Sequence, residues 1–262
     1  VGSVKMCIRD SPKIIHYCWF GRNPLPELAV KCIDSWKKFL PDYEIKEWNE
    51  DNFDVNIIPY TREAYAAKKY AFVSDFARFY ILYHHGGLYF DTDVEVIKPI
   101  DDIIAKGPFM GCEKKVEPGI PSLSVAPGLG LAVIPGMKLY SDLIALYERL
   151  HFTDANGKQN LKTVVEYTTE LLCQYGLKNV NELQECAGVW IYPKEWFCPI
   201  DYNTKKRKDT SNTRLVHHYA ASWVPKWTLF LVWLERQIGK NALLRLQRLK
   251  RFLCNEPEKG NV

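Results

Sequence analysis

The chain has 262 residues, of which 47% are hydrophobic and 25% charged. That composition excludes a disordered or collagen-like chain and allows one large domain with a short extension. The net charge of +4 is too small at this size to point to a nucleic-acid binder, although positive charge gathers at 205–208 (KKRK) and again across 236–251.

Residues 1–11 carry no periodicity and read as a tail outside the fold. Nothing near the N-terminus supplies the apolar stretch of a secretory signal, so none is expected. Residues 13–20 (KIIHYCWF) are β-branched and aromatic and predict a strand ending at Gly21. Glu27 to Leu40 has apolar residues at helical spacing and stops before Pro41. Tyr43 to Trp48 predicts a second strand, which makes a βαβ unit with a parallel pair.

Residues 61–85 predict a helix in two pieces, closed by Gly86-Gly87. A strand through GGLYFDTDVEV (86–96) follows. Phe109 to Glu113 and Leu123 to Ile134 predict further strands or strand-loop, with Gly128 and Gly130 as breakers. Helices are expected at Leu139–Phe152 and Leu161–Tyr175, and short strands at Val189–Tyr192 and Arg214–Tyr219. A long helix is expected from Trp227. This alternation predicts an α/β fold with a central mixed sheet. The domain limits expected are 1–11 for the tail, 12–225 for the main domain and 226–262 for a basic amphipathic helix and tail.

Eight cysteines occur without any CxxC pair. Free buried thiols in a reducing compartment are therefore expected, rather than a zinc site or a disulfide framework. The longest apolar run, Trp227 to Leu234, is far below the ~20 residues of a spanning helix. The 227–253 segment interleaves leucines with arginines and lysines. A packing helix with a wet basic face accounts for that, and so does a helix lying on anionic lipid.

Asp91, Asp93 and Glu95 alternate along the third strand, so with Tyr89 they are expected on one face, opposite Leu88, Phe90, Thr92, Val94 and Val96. A solvated acidic edge would give the same alternation. Two carboxylates one pleat repeat apart (~6.8 Å) repel, however, and a hard divalent cation relieves the repulsion. Acids that close an apolar strand stand at the carboxyl edge of an open sheet, where ligands gather. Such an ion would suit a diphosphate.

On the preceding helix, Ser74, Asp75 and Arg78 interrupt an apolar run. Asp75 and Arg78 can pair on the helix surface, or Arg78 can reach a phosphate and Asp75 a ribose hydroxyl. Farther on, VHHYAASW (216–223) offers an imidazole for a metal and Ser222 and Trp223 as donors to phosphate. Trp19 can stack on a base or fill the core.

Taken in order, KIIHYCWFG, AFVSDFARFYILYHHGGLYFDTDVEV and HHYAASW resemble the glycosyltransferases with an Asp-x-Asp sugar-binding motif. The likeness is to the family 32 bacterial capsular polysaccharide and lipopolysaccharide sugar transferases, relatives of the yeast initiating α-mannosyltransferases and, more distantly, of the clostridial glucosylating toxins. It spans residues 12–223 and is most specific in SDxxR…GGxYxDxD.

The resemblance implies a GT-A type, Rossmann-like fold, a nucleotide-sugar donor with UDP favoured, Mn²⁺ or Mg²⁺, and retention at the anomeric carbon. It implies a glycan or lipid-linked acceptor and no nucleic acid; the expected location is cytoplasmic, with peripheral contact at the inner membrane face if the C-terminal helix is the lipid-binding one. By position it implies Asp91, Asp93 and Arg78 as catalytic residues. Trp19, Ser74, Asp75, Arg78, Tyr89, Asp91, Ser222 and Trp223 would bind substrate, and Asp91, Asp93 and His217 the metal, with His218 left as an alternative to His217. Gly128-Leu129-Gly130 would line the donor sugar. A nucleotidyltransferase is the rival enzyme reading, but FGRNPLP after the first strand is a poor phosphate cradle. A non-catalytic carbohydrate-binding module would explain the tryptophans but not the Asp–Arg constellation.

Overall fold

The computed structural model describes residues 12–114, 123–202 and 204–220. The chain divides into two compact units, Val1–Ala220 and Ala221–Val262, and every described residue lies in the first. The N-terminal tail, the long C-terminal helix, Ser222 and Trp223 fall outside the described residues.

The first unit opens with β1 (Ile14–Cys18), α1 (Glu27–Phe39) and β2 (Glu44–Trp48). β1 and β2 pair in parallel, Ile15 against Ile45, as the βαβ pattern requires. α1 buries Ala29, Cys32, Ile33 and Trp36, a stripe at helical spacing, and ends one residue short of Leu40-Pro41. Next come α2 (Pro59–Ala66) and α3 (Tyr70–His85). α3 is buried almost all round, including Asp75 and Arg78, because helices pack on it from outside.

β3 (Gly87–Tyr89) pairs in parallel with β1, Ile15 opposite Leu88. Gly87 has φ +90°, and a Cβ there would stand 2.6 Å from the Ile14 carbonyl oxygen. Only glycine fits that turn from helix to strand. β4 (Val94–Val96), α4 (Asp101–Lys106), β5 (Phe109–Lys114), β6 (Ser124–Ala126) and β7 (Leu131–Val133) follow. The unit closes with α5 (Lys138–Tyr147), α6 (Val164–Gln174), β8 (Gln184–Cys186), β9 (Val189–Tyr192), α7 (Lys194–Phe197) and β10 (Leu215–His217).

The main sheet runs β2-β1-β3-β7-β5-β9-β8, with β6 paired to β5. β3 and β5 are each antiparallel to β7, and β9 is parallel to β5. The carboxyl ends of β1, β2, β3, β5 and β9 therefore share one edge. Alternate side chains feed two cores, Tyr89 and Met110 to one and Leu88 and Phe109 to the other. The first core packs under α2, α3, α5 and α6, the second under α1, α4 and α7. The architecture is the expected α/β fold with a central mixed sheet, consistent with GT-A.

One expectation is corrected. The acidic stretch is not a continuous strand. β3 ends at Tyr89, a turn carries Asp91 to Asp93 with the Val94 N–H on the Asp91 carbonyl (3.0 Å), and β4 joins a separate two-stranded sheet with β10. Leu88, Phe90, Val94 and Val96 do all enter one core. The alternation reported which face is buried, and the backbone partners change where the main sheet stops.

Candidate active site

The Asp91–Asp93 turn projects from the carboxyl edge beyond β3 and is held from two sides. On the Asp91 side, the Tyr89 hydroxyl donates to Oδ1 (3.1 Å) and Arg78 Nη1 lies 3.4 Å from Oδ2. The Asp91 N–H donates to the Gly128 carbonyl (3.0 Å). The Asp91 side chain keeps 31% exposure while that of Arg78 keeps 4%, so one carboxylate faces outward on a buried support.

Arg78 is held in turn. Its Nε donates to the Ser74 carbonyl (3.1 Å), Nη2 to Asp75 Oδ1 (2.9 Å), and the guanidinium lies 5.1 Å from the centre of the Tyr89 ring. The Asp75–Arg78 pair is therefore buried rather than a surface pair. Burial pushes the Asp75 carboxyl up to about 7, with Arg78 and the Val164 N–H opposing and Asp91 adding to the rise. Burial acts against the Arg78 charge, but Asp91, Tyr89 and Asp75 outweigh it and keep the guanidinium protonated. The Ser74 hydroxyl donates back to the Tyr70 carbonyl (3.3 Å).

Asp93 is held by the strand-and-loop that follows Leu215. β10 pairs antiparallel with β4, His217 opposite Val94, and runs on past the turn. His217 Nε2 stands 3.3 Å from Asp93 Oδ1. The Ala220 N–H donates to Oδ2 (2.8 Å) and the His218 N–H to the Asp93 carbonyl (3.0 Å). His218 turns the other way, its Nε2 2.8 Å from Glu95, which also meets Lys31 at 3.1 Å. Of the two histidines, His217 is the one beside Asp93. Burial acts to lower the His217 pKa, but the Asp93 charge and hydrogen bond raise it to about 10. Burial acts to raise Asp93, and His217 with the Ala220 N–H brings it below the usual carboxylate range.

The structure thus brings Ser74, Asp75, Arg78, Tyr89 and Asp91 into one connected group and Asp93 and His217 into another, joined through the turn. Trp19 follows β1 at the same edge, half-buried, its indole N–H on the Asn23 carbonyl (2.7 Å). Sequence reasoning named Gly128 as lining the donor sugar but missed its carbonyl as a partner of Asp91, and missed the Ala220 N–H as a partner of Asp93. Glu113, the next-to-last residue of β5, has its carboxyl raised by burial, with Lys114, His217 and Lys194 opposing.

Among the described residues, no three His, Cys, Asp or Glu side chains gather as a preformed metal cluster. The donor set still fits Mn²⁺ or Mg²⁺. It offers two carboxylates in one turn, one of them outward-facing, and such ions commonly take one or two carboxylates and fill the remaining positions with water and substrate phosphate. His217, as placed, is a partner of Asp93.

Residues 26–110 match the model of a family described as a glycosyltransferase sugar-binding region containing a DXD motif. An uncharacterized glycosyltransferase of Acanthamoeba polyphaga mimivirus is 34% identical over 234 residues, 86% of this chain and 89% of the relative. Inositol phosphoceramide mannosyltransferase 1 of Schizosaccharomyces pombe is 30% identical over 110 residues, 38% of this chain. The match spans about a third (33%) of that relative's length. Among solved structures, the PaToxG glycosyltransferase superposes with a TM-score of 0.45 at 21% identity, covering 63% of this chain and 69% of that one.

Proposed function

The chain belongs to the glycosyltransferases whose sugar-binding region contains a DXD motif, and from that premise we propose that it moves a hexose from a nucleoside-diphosphate sugar, UDP-linked, to a hydroxyl of a glycan or lipid-linked acceptor, with retention of configuration. The family sets aside the nucleotidyltransferase and binding-module readings. The process we assign is surface-polysaccharide synthesis, as the resemblance to the capsular and lipopolysaccharide transferases implies.

The observation that carries this reading is the Asp91–Asp93 turn, which stands at the carboxyl edge of the parallel strands with Asp91 oriented by the buried Arg78 and Tyr89 and Asp93 by His217 and the Ala220 N–H. Asp91 and Asp93 would hold Mn²⁺ or Mg²⁺, whose charge offsets that of a departing nucleoside diphosphate. Arg78 and Tyr89 fix the outward pose of Asp91. His217 and the Ala220 N–H fix Asp93. Trp19, beyond β1, would lie against the base; Ser222 and Trp223, which the resemblance puts on the diphosphate, lie outside the described residues. Among the described residues no helix is long and apolar enough to cross a membrane.

Thermal shift of the full chain with UDP-, GDP- and CMP-sugars, with Mn²⁺ and with chelator, tests the proposal. Stabilisation by a UDP-sugar that needs Mn²⁺ is expected, with slow release of free sugar. No stabilisation by any nucleotide sugar would overturn it.

A further inference from the structure

Glu113 and the Asp91–Asp93 turn stand at the carboxyl edge on either side of β7. One rung ties the three strands, Leu88 of β3 to Ala132 of β7 and Ala132 to Phe109 of β5. Asp91 follows that rung by three residues and Glu113 by four, so the two reach about the same level. Two strand spacings, about 10 Å, separate their strands.

β5 is irregular at this point. Cys112 pairs with Val125 of β6 and Lys114 with Ser124, which leaves Glu113 as the extra residue of a bulge. A bulge re-aims its side chain, and bulges gather beside active sites. The Lys194 ammonium, carried by α7, fastens the bulge by donating to the Glu113 carbonyl (2.9 Å) and the Ile200 carbonyl (3.0 Å). The charges of Lys114, His217 and Lys194 act on the Glu113 carboxyl. Glu113 acts in turn on Tyr219, whose ring is 4.3 Å from that of His217, the partner of Asp93. Glu113 therefore lies on the Asp93 side of the turn.

The Glu113 side chain is half-buried, and among the described residues nothing donates a hydrogen bond to its carboxylate or pairs with it as an ion. Folding has fixed the main chain here and left both carboxylate oxygens to solvent or a ligand. Between Asp91 and Glu113 the chain passes through residues 127–130, which link β6 to β7 and are all buried. That segment raises no exposed side chain between the two acids.

We propose that Glu113 recognises the sugar being transferred, its two carboxylate oxygens accepting hydrogen bonds from neighbouring hydroxyls of the donor hexose while the diphosphate stays with the Asp91–Asp93 turn. An ionised carboxylate only accepts, so a pair of adjacent hydroxyls, each free to donate, is the ligand that it fits. The proposal rests on the reading of the turn as the donor site. It makes Glu113 a residue of sugar choice and not of nucleotide binding.

Equilibrium binding to the full chain with Mn²⁺ tests it, with UDP, UDP-glucose and UDP-galactose as probes. Glu113→Gln keeps the shape of the side chain and withdraws its charge. It should bind UDP as the wild type does and the preferred UDP-hexose about tenfold more weakly, as the loss of a charged hydrogen bond implies. UDP-hexoses lacking one hydroxyl locate the contact. One deoxy position should cost the wild type about tenfold and Glu113→Gln nothing further, a non-additivity that a structural role would not produce. Should Glu113→Gln lower the thermal midpoint, carbodiimide labelling of the wild type decides instead, since UDP-hexose should shield Glu113 where UDP does not. Unchanged UDP-hexose affinity in Glu113→Gln overturns the proposal. So do equal losses for UDP and UDP-hexose, additive deoxy losses, or equal labelling with either nucleotide. Any of these results beside Mn²⁺-dependent UDP binding by the wild type sinks the role of Glu113 and leaves the donor reading standing. Failure of the wild type to bind UDP or either UDP-hexose sinks the donor reading itself.

Discussion

A Cβ on Gly128 would stand 1.8 Å from Oδ2 of Asp91 and 3.2 Å from Nη1 of Arg78. The missing side chain at 128 is the space in which the Asp91 carboxylate lies. Gly128→Ala should therefore displace that carboxylate by a large part of an ångström while the surrounding sheet stays formed. Transfer should fall about 100-fold, the cost of misplacing a reacting group on that scale. Steady-state rates beside far-ultraviolet circular dichroism check this. A variant with wild-type turnover would show that the Asp91 pose is not used.

Asp93→Asn keeps the shape of the side chain and removes its charge. Sugar transfer should drop by at least the ~100-fold that losing a supporting group costs a metal site, with secondary structure intact. The same change should bring the His217 imidazole down from about 10 toward the ordinary histidine range, because the Asp93 charge is what holds it up. A nuclear magnetic resonance titration of the ring protons reads this without any substrate. An unmoved titration would contradict the pairing.

Arg78 stands between two carboxylates, 2.9 Å from Asp75 and 3.4 Å from Asp91, with almost no exposure. Arg78→Met leaves buried negative charge uncompensated and should destabilise the chain by roughly 3–5 kcal/mol in urea unfolding. Asp75→Asn/Arg78→Met removes one of those charges as well. It should lose clearly less than the two single variants taken together, since the residues act as one unit. Additive losses would mean the pair is not energetically coupled.

His16 lies between two partners. Its Nδ1 accepts the Trp48 indole N–H (3.0 Å) and its Nε2 faces the Gly86 carbonyl (3.0 Å), which places the single proton of a neutral ring on Nε2. Burial lowers its pKa from 6.5 to about 4, the Gly86 bond opposing. A folded pKa below the unfolded one means that the unfolded chain binds the proton first as pH falls. The stability this site contributes is complete above pH 6.5 and lost between 6.5 and 4. Between pH 7 and pH 5 the wild type should lose about 2 kcal/mol more unfolding free energy than His16→Gln. Urea titrations at the two pH values measure it, and parallel losses would refute the assignment.

Elements governed by local pattern were legible in the sequence. α1 begins at Glu27 as expected because its apolar stripe and Pro41 are local signals, and β9 occupies Val189–Tyr192 as read. α4 went unread because six residues are too few for a 3.6-residue period to show. The Asp pair was recognised as residues but misplaced as structure. Its turn is set by Gly128 and by His217 and Ala220, partners that no window along the chain contains. Arg78 and Asp75 were found because charge on an apolar helix is conspicuous. That they serve Asp91 required the packing of α3 under the sheet edge.

β4 has only β10 as a strand partner among the described residues, so the brace on Asp93 comes from a stretch that leaves the ribosome more than 120 residues after Asp93 itself. Arg78 and Tyr89 can seat Asp91 much earlier in synthesis, since they precede it. The two halves of the motif are thus completed at different times. A nascent chain halted before Leu215 would carry a formed parallel core with one carboxylate set and the other loose.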